Sequence, residues 1–398
     1  MRLLALVCAM GLAASQAQAA GHWIGSWGAS PAMPMAAPAN NPARGTASFN
    51  NQTITQVVRL SAGGARLRIR LSNEYGPKPL QIGAARVALV TADGAVVPGS
   101  ERAVTFSGDA KATIAAGAPM LSDPVALPTK PLARLRVSLY LPADSNGCTC
   151  HMTGQELISI ASGDATQAPP PPSKGVGDYR AFLTEVDVES AAPVRPVIAT
   201  FGDSITDGYR STDGANHRWP DRLAERLDAA KKPYAVVNTA ISGNRVLAEQ
   251  LPIFGQNALS RFDRDVLAVP GVTHVTVLEG VNDLGMTKPT PAAEQLIAGY
   301  RQLIARAHEH GLKIIGATIL PYGGASYFSA AGEAQRQKIN AWIRTGHEFD
   351  GVIDFDAAIR DPAKPDHMKA DLQSGDWLHP NDAGYRVMGD AVNLALFR

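Results

Sequence analysis

The stretch Val197-Ile198-Ala199-Thr200-Phe201-Gly202-Asp203-Ser204 sets an apolar run directly against a turn. A run of β-branched and aromatic residues ended by Gly-Asp reads as a buried strand that stops abruptly and delivers a serine at its carboxyl end. The same texture recurs downstream. Strands are predicted at 197–201, 235–238, 275–278, 313–319 and 352–355, with helical patterns at 220–230, 292–310 and 333–345 and a last helix from 382. Short apolar strands alternating with helices imply a parallel sheet covered on both faces. In such a sheet the loops after the carboxyl ends of the strands build the site, which brings Ser204, Gly243 and Asn282 to one edge.

Upstream the pattern changes. Leu67, Ile69 and Leu71 alternate with Arg66, Arg68 and Arg70 just after Gly63-Gly64, and Leu135, Val137, Leu139 and Leu141 share one face of a second run. Period-two runs with few helical ones predict a β-rich sandwich or jelly-roll-like domain. The three arginines are expected to be the solvated face of their strand rather than a stripe for an acidic polymer. The prolines at 169–172 suit an extended surface loop. The Pro-containing stretch 190–196 is where a β-rich accessory domain, 20–190, should give way to an α/β domain, 191–398.

Arg2, the apolar run at 3–14 and Ala17-Gln18-Ala19 have the layout of an export signal over residues 1–19, so a secreted or periplasmic protein is expected. No stretch approaches the roughly 20 apolar residues of a spanning helix, and stable membrane insertion is not expected. Cys8 lies within the leader, outside a convincing lipoprotein cleavage context. Cys148-Thr149-Cys150 is read as a structural loop: a local disulfide is open to it in an oxidising compartment, though in a very small, strained ring, and zinc binding with His151 lacks a standard tetrahedral set. The 37 basic and 36 acidic residues give no global field to draw nucleic acid. No dinucleotide fingerprint, phosphate loop or zinc-protease helix occurs, so no cofactor and no metal is called for. His308-Glu309-His310 is read as a helix end, where basic groups suit the dipole. The pattern sets no oligomeric state.

Four separated segments carry the groups of acyl transfer: Gly202-Asp203-Ser204-Ile205, Ser242-Gly243-Asn244, Gly280-Val281-Asn282-Asp283 and Asp376-Trp377-Leu378-His379. That chemistry needs a nucleophilic oxygen, a base for its proton, an acid to hold the base and donors aimed at the oxyanion. Ser204 sits where strand gives way to turn. His379 precedes Pro380, which suits a loop, and Asp376 can accept from one ring nitrogen while the other faces Ser204. Gly243 has no side chain to shield its amide, and Asn282 donates without competing as a base. Asp203, Asp207 and Asp283 are expected to cap and bond the adjoining loops.

This ordered set resembles the SGNH subgroup of the GDSL esterase and lipase superfamily. Gly-Asp-Ser alone would say little; the order of all four segments is specific. The resemblance covers 197–398 and implies a flavodoxin-like three-layer α/β/α hydrolase domain. It further implies Ser204 as nucleophile, Asp376 and His379 as acid and base, and Ser204, Gly243 and Asn282 as oxyanion donors. The absence of a Gly-x-Ser-x-Gly elbow argues against the larger α/β-hydrolase fold. In the first half, His22-Trp23-Ile24-Gly25-Ser26-Trp27 and Ser72-Asn73-Glu74-Tyr75-Gly76 look like segments of exported two-domain members similar to xylan esterases, which remove acetyl groups from plant polysaccharides. The expected substrate is accordingly an acylated carbohydrate or another small ester, cleaved through an acyl-serine intermediate. A short-chain lipase or arylesterase, a sugar O-acyltransferase and an inactive polysaccharide-binding protein are the alternatives. The β-rich half is expected to guide a polymeric substrate to a catalytic set held wholly in 197–398.

Overall fold

The computed structural model describes residues 21–35, 47–167, 178–191 and 195–398. The leader with Cys8, the proline run at 169–172 and part of the 190–196 boundary lie outside the described residues. Among the described residues no helix is long and apolar enough to cross a membrane.

The strands Val197–Gly202, Ala235–Asn238, Val272–Leu278, Lys313–Ala317 and Gly351–Ile353 pair in parallel. The first lies between the second and the third. This is the flavodoxin-like order, whose switch point opens a crevice at the carboxyl ends of the first and third strands. Apolar residues fill these strands because helices pack on the sheet in two groups. Trp219–Ala229, Phe355–Ile359 and Asp382–Ala391 form one; Ala258–Phe262, Val281–Met286, Ala293–Glu309 and Ala330–Thr345 form the other. The fourth strand ends earlier than its apolar run suggests, since the Ile319 amide turns away to donate to Asn340 Oδ1 at 2.8 Å. His308 closes its helix as expected, with Nε2 2.8 Å from Asp350 Oδ2.

The first half is built of antiparallel sheets. The larger two have the orders His22–Gly28, Leu183–Ser190, Leu67–Ser72, Pro119–Leu121 and Ser159–Ser162, Gln52–Arg59, Arg134–Leu141, Ala84–Val90, Arg102–Ala103. Leu67, Ile69 and Leu71 meet Leu135, Val137, Leu139 and Leu141 in one buried core, as period-two alternation requires. The arginine face corrects the expectation of a solvated stripe. Arg66 pairs with Glu189 at 2.6 Å, Arg68 with Asp187 at 2.8 Å and Arg70 with Glu185 at 3.1 Å, all on the neighbouring strand. The Trp23 ring lies 4.5 Å beneath Arg68. Cross-strand charge pairing, rather than hydration, fixes these side chains. Cys148 and Cys150 are joined by a disulfide. His151 beside them is not free for zinc: its ring nitrogens meet Ser30 O at 3.0 Å and Asp207 Oδ1 at 2.8 Å.

The two halves share apolar packing. Val197, Ala235, Val237 and Val269 of the α/β half belong to the core of the β-rich half. His22–Gly28 runs beside the sheet's edge strand Ala235–Asn238, and Gly28 permits the approach, because a Cβ there would overlap Val237. Edge polar groups are covered too: Ser61 Oγ accepts from the Val236 amide at 2.9 Å, and Ser30 Oγ donates to Thr239 O at 2.9 Å. A chain beginning at residue 195 lays bare these valines and the Val236 amide. It is expected to lose solubility and cooperative unfolding relative to the whole protein; a fragment melting at the same temperature as the intact chain would refute the shared core.

Candidate active site

The turn that carries Ser204 begins where Val197–Gly202 ends. Gly202 tolerates no side chain, since a Cβ would press into Thr206 and Leu278 O. Asp203 caps the next turn by accepting from the Ile205 amide at 3.0 Å, and left-handed Gly208 closes it. Ser204, the first residue of that turn, is buried apart from 6% of its surface. Its Oγ lies 2.8 Å from His379 Nε2, and His379 Nδ1 lies 2.7 Å from Asp376 Oδ2. The other carboxylate oxygen of Asp376 accepts from the Leu378 and His379 amides, each at 2.9 Å. Partial burial pulls the Asp376 carboxyl upward, but the bonds from His379 and these amides outweigh it and hold it well below the ordinary range. Tyr209 packs edge-on against the imidazole with centroids 4.8 Å apart, and Tyr385 donates to Tyr209 O at 2.7 Å. Trp377, between Asp376 and His379 in the chain, takes φ 58°, a left-handed conformation uncommon for a bulky residue.

The second and third loops converge on the same place. Gly243 has φ 81°, and a Cβ there would overlap the Phe254 ring. Its neighbour Ser242 donates to Asp207 Oδ2 through both its amide, at 3.0 Å, and its hydroxyl, at 2.7 Å. Asp207 is the last residue of the Ser204 turn. Asn282 Nδ2 donates to Asn244 O at 2.9 Å, while its Oδ1 accepts from Tyr327 at 3.0 Å. The amide is thereby oriented, with one Nδ2 hydrogen left over for a further acceptor. Asp283 accepts from the Val246 and Leu247 amides at 2.8 and 2.9 Å, and burial pushes its carboxyl up to about 6.

Beneath these loops lies Arg261, fully buried with all five N–H donors engaged. Nε donates to Asn244 Oδ1 at 2.8 Å, Nη1 to Thr239 O and Asp265 at 2.6 and 3.0 Å, and Nη2 to Gly202 O and Glu279 at 2.9 and 3.3 Å. Glu279 is pushed well above its usual range by burial and by the charge of Asp203, itself raised to about 7 by burial.

All five residues marked in the sequence thus gather at the switch point: Ser204, His379 and Asp376 in one bonded line, Gly243 and Asn282 on loops tied to it. The expectation for Asp203, Asp207 and Asp283 agrees with their loop bonds. Sequence reading missed Arg261, Glu279, Tyr209 and Tyr327. Tyr327 follows the fourth strand's carboxyl end, a place the parallel-sheet rule marks. Arg261 has no local signal. Chemically, the line Ser204–His379–Asp376 can pass the hydroxyl proton to the imidazole, whose positive charge Asp376 then balances.

Residues 200–387 match the model of the GDSL-like lipase/acylhydrolase family. The carboxyl-terminal half is therefore a GDSL-like acylhydrolase domain, a class that acts on esters. Among solved structures, a GDSL-like lipase from Bacteroides thetaiotaomicron is 18% identical, covering 52% of this chain and 91% of its own, with a TM-score of 0.38. The carbohydrate acetylesterase Est24 from Sinorhizobium meliloti is 14% identical, covering 50% and 96%, with a TM-score of 0.40. The acetyl xylan esterase AlAXEase is 19% identical, covering 49% and 96%, with a TM-score of 0.37. No curated protein matches the chain.

The raised carboxyls have a measurable sign. Glu279 binds its proton more tightly folded than unfolded, so its contribution to stability falls as pH rises above the unfolded carboxyl range of about 4. Glu279→Gln removes that loss. Urea unfolding at pH 5 and pH 8 is expected to show the variant gaining on the wild type at the higher pH; an identical difference at both would contradict a raised Glu279.

Proposed function

We propose that this protein is an exported serine esterase that removes small acyl groups, above all acetyl, from carbohydrates. The observation that carries the serine mechanism is the bonded line Ser204 Oγ–His379 Nε2–Asp376, at 2.8 and 2.7 Å. In this reading His379 takes the Ser204 proton as Oγ attacks the ester carbonyl. Asp376 holds the imidazolium, and the Ser204 and Gly243 amides and Asn282 Nδ2 receive the oxyanion. The protonated His379 then gives its proton to the departing sugar oxygen, and water, activated by the same imidazole, releases the acid from the acyl-serine. No cofactor enters. Two features support the finer claims: the Cys148–Cys150 disulfide suits an oxidising compartment and so agrees with the leader-like residues 1–19. The half-buried Trp377 beside Asp376 and His379 is an aromatic residue of the kind that lines sugar sites. The units 20–190 and 191–398 act together, since the first braces loops of the second.

Ser204→Ala is expected to keep the fold and lose ester hydrolysis by as much as about a millionfold, the scale seen when such a nucleophile is deleted. Turnover near wild type in the purified variant would overturn the mechanism. Asn282→Ala is expected to lower kcat by roughly 10² to 10³ with little change in KM. Tyr327→Phe, which only frees the amide to rotate, should fall in the same direction by less. A rise confined to KM would make Asn282 a ground-state binder. The substrate claim is checked by comparing acetylated xylan with aryl esters of increasing acyl length: acetate should be released from the xylan and the aryl acetate cleaved fastest in its series, whereas a preference for long acyl chains would favour a lipase.

A further inference from the structure

We infer that His151, in the β-rich half, is a positioning residue for the oxyanion loop, acting through Asp207 and Ser242. The inference rests on the assignment of Gly243 as an oxyanion donor. His151 lies on Cys150–His151, a strand paired with Arg180–Ala181, and is buried. Its two ring nitrogens face Ser30 O at 3.0 Å and Asp207 Oδ1 at 2.8 Å. A backbone carbonyl can only accept, so Nδ1 carries a hydrogen. Asp207 also accepts twice from Ser242, at its amide and its hydroxyl, both through Oδ2, which leaves Oδ1 to face Nε2. With Nδ1 donating to a carbonyl and Nε2 against a carboxyl oxygen, the ring is placed to act as an imidazolium. Its pKa agrees: burial lowers it, but the Asp207 charge and hydrogen bond raise it by more, with Arg180 opposing.

One carboxylate therefore joins three parts: the turn that begins with Ser204, the loop that presents Gly243, and a cation supplied by the other half of the chain. Removing that ring leaves Asp207 Oδ1 buried without its hydrogen-bond partner, so the carboxylate is free to rotate. A rotated carboxylate no longer presents Oδ2 to both Ser242 donors, and the loop one bond from Gly243 loosens. Ser30 grips the same loop further back, since its hydroxyl donates to Thr239 O at 2.9 Å. This differs from guidance of a polymer. The β-rich half acts on every ester alike, because it sets the donor and not the leaving group.

The test uses the full-length chain and 4-nitrophenyl acetate, a substrate too small to need guidance. His151→Ala is expected to lower kcat by about tenfold or more, below the 10² to 10³ of losing a donor outright, with KM within about twofold. His151→Gln, whose amide can still donate to Asp207, should recover part of that loss. The double variant His151→Ala/Ser242→Ala should fall by less than the product of the single effects, since both act on one loop. A folded His151→Ala with unchanged kcat, a loss confined to KM, or multiplying effects in the double variant would each overturn the inference. Should His151→Ala fail to fold, Ser242→Ala decides: a fall in kcat at constant KM supports the chain of bonds, and an unchanged kcat refutes it. Ser204→Ala run alongside separates the two levels, because activity surviving there defeats the serine mechanism itself rather than the role of His151.

Discussion

A single buried guanidinium ties the site together. Arg261 donates to Gly202 O at the end of the first strand, to Thr239 O and Asn244 Oδ1 in the second loop, and to Glu279 at the end of the third strand. Taking a cation out of water costs several kcal/mol, and only a full set of well-placed acceptors offsets it. Here the acceptors come from each of the loops that carry Ser204, Gly243 and Asn282. A shift of any one would leave a donor unsatisfied, so the cost of burying Arg261 becomes a penalty on misplacing the loops. Asp265 supplies its counter-charge: burial pulls that carboxyl up, while Arg264 and Arg261 bring it below its ordinary range. Glu279 and Asp203 are driven the other way, toward holding protons, which spares the site a crowd of like charges.

This explains what could and could not be read from the chain. The five parallel strands were legible because each is a short apolar run beside a turn, a pattern contained in a few adjacent residues. The candidate site residues stood out for the same reason: Ser204, Gly243, Asn282 and Asp376 with His379 each sit in a compact segment, and the strand ends that carry the first three follow from the alternation. Arg261 looks like any arginine in a short amphipathic helix, and its partners are spread from Gly202 to Glu279. Arg66, Arg68 and Arg70 were misread on the same account. Their strand shows the alternation, but the acids opposite them belong to Leu183–Ser190, and only the register of pairing brings the two together.

The relation between the halves was the other feature hidden from sequence. A change of texture near residue 190 suggests modules joined by a linker, and an apolar residue such as Val237 reads equally as core of its own sheet. Instead it faces Gly25 and Gly28 across the boundary. Interfaces between independently moving domains are commonly more polar than this. The packing of Val197, Ala235, Val237 and Val269 into the β-rich core, with edge amides and carbonyls satisfied across it, makes the relative placement of the halves part of the folded state rather than an adjustable hinge.

The pairing of the first strand with the last one of the β-rich half bears on the order of events during folding. His22 lies opposite Ser190, so the sheet that covers the boundary cannot close until almost the whole first half has been made. Closing such a long loop is slow, because its entropy is lost before the contacts that repay it form. By then the next strand, Val197–Gly202, is only a few residues behind. Val197 comes at once, but Ala235, Val237 and Val269, which complete the core against Ile24 and Gly25, lie far down the chain, so this face stays open to other chains until much of the second half has been made.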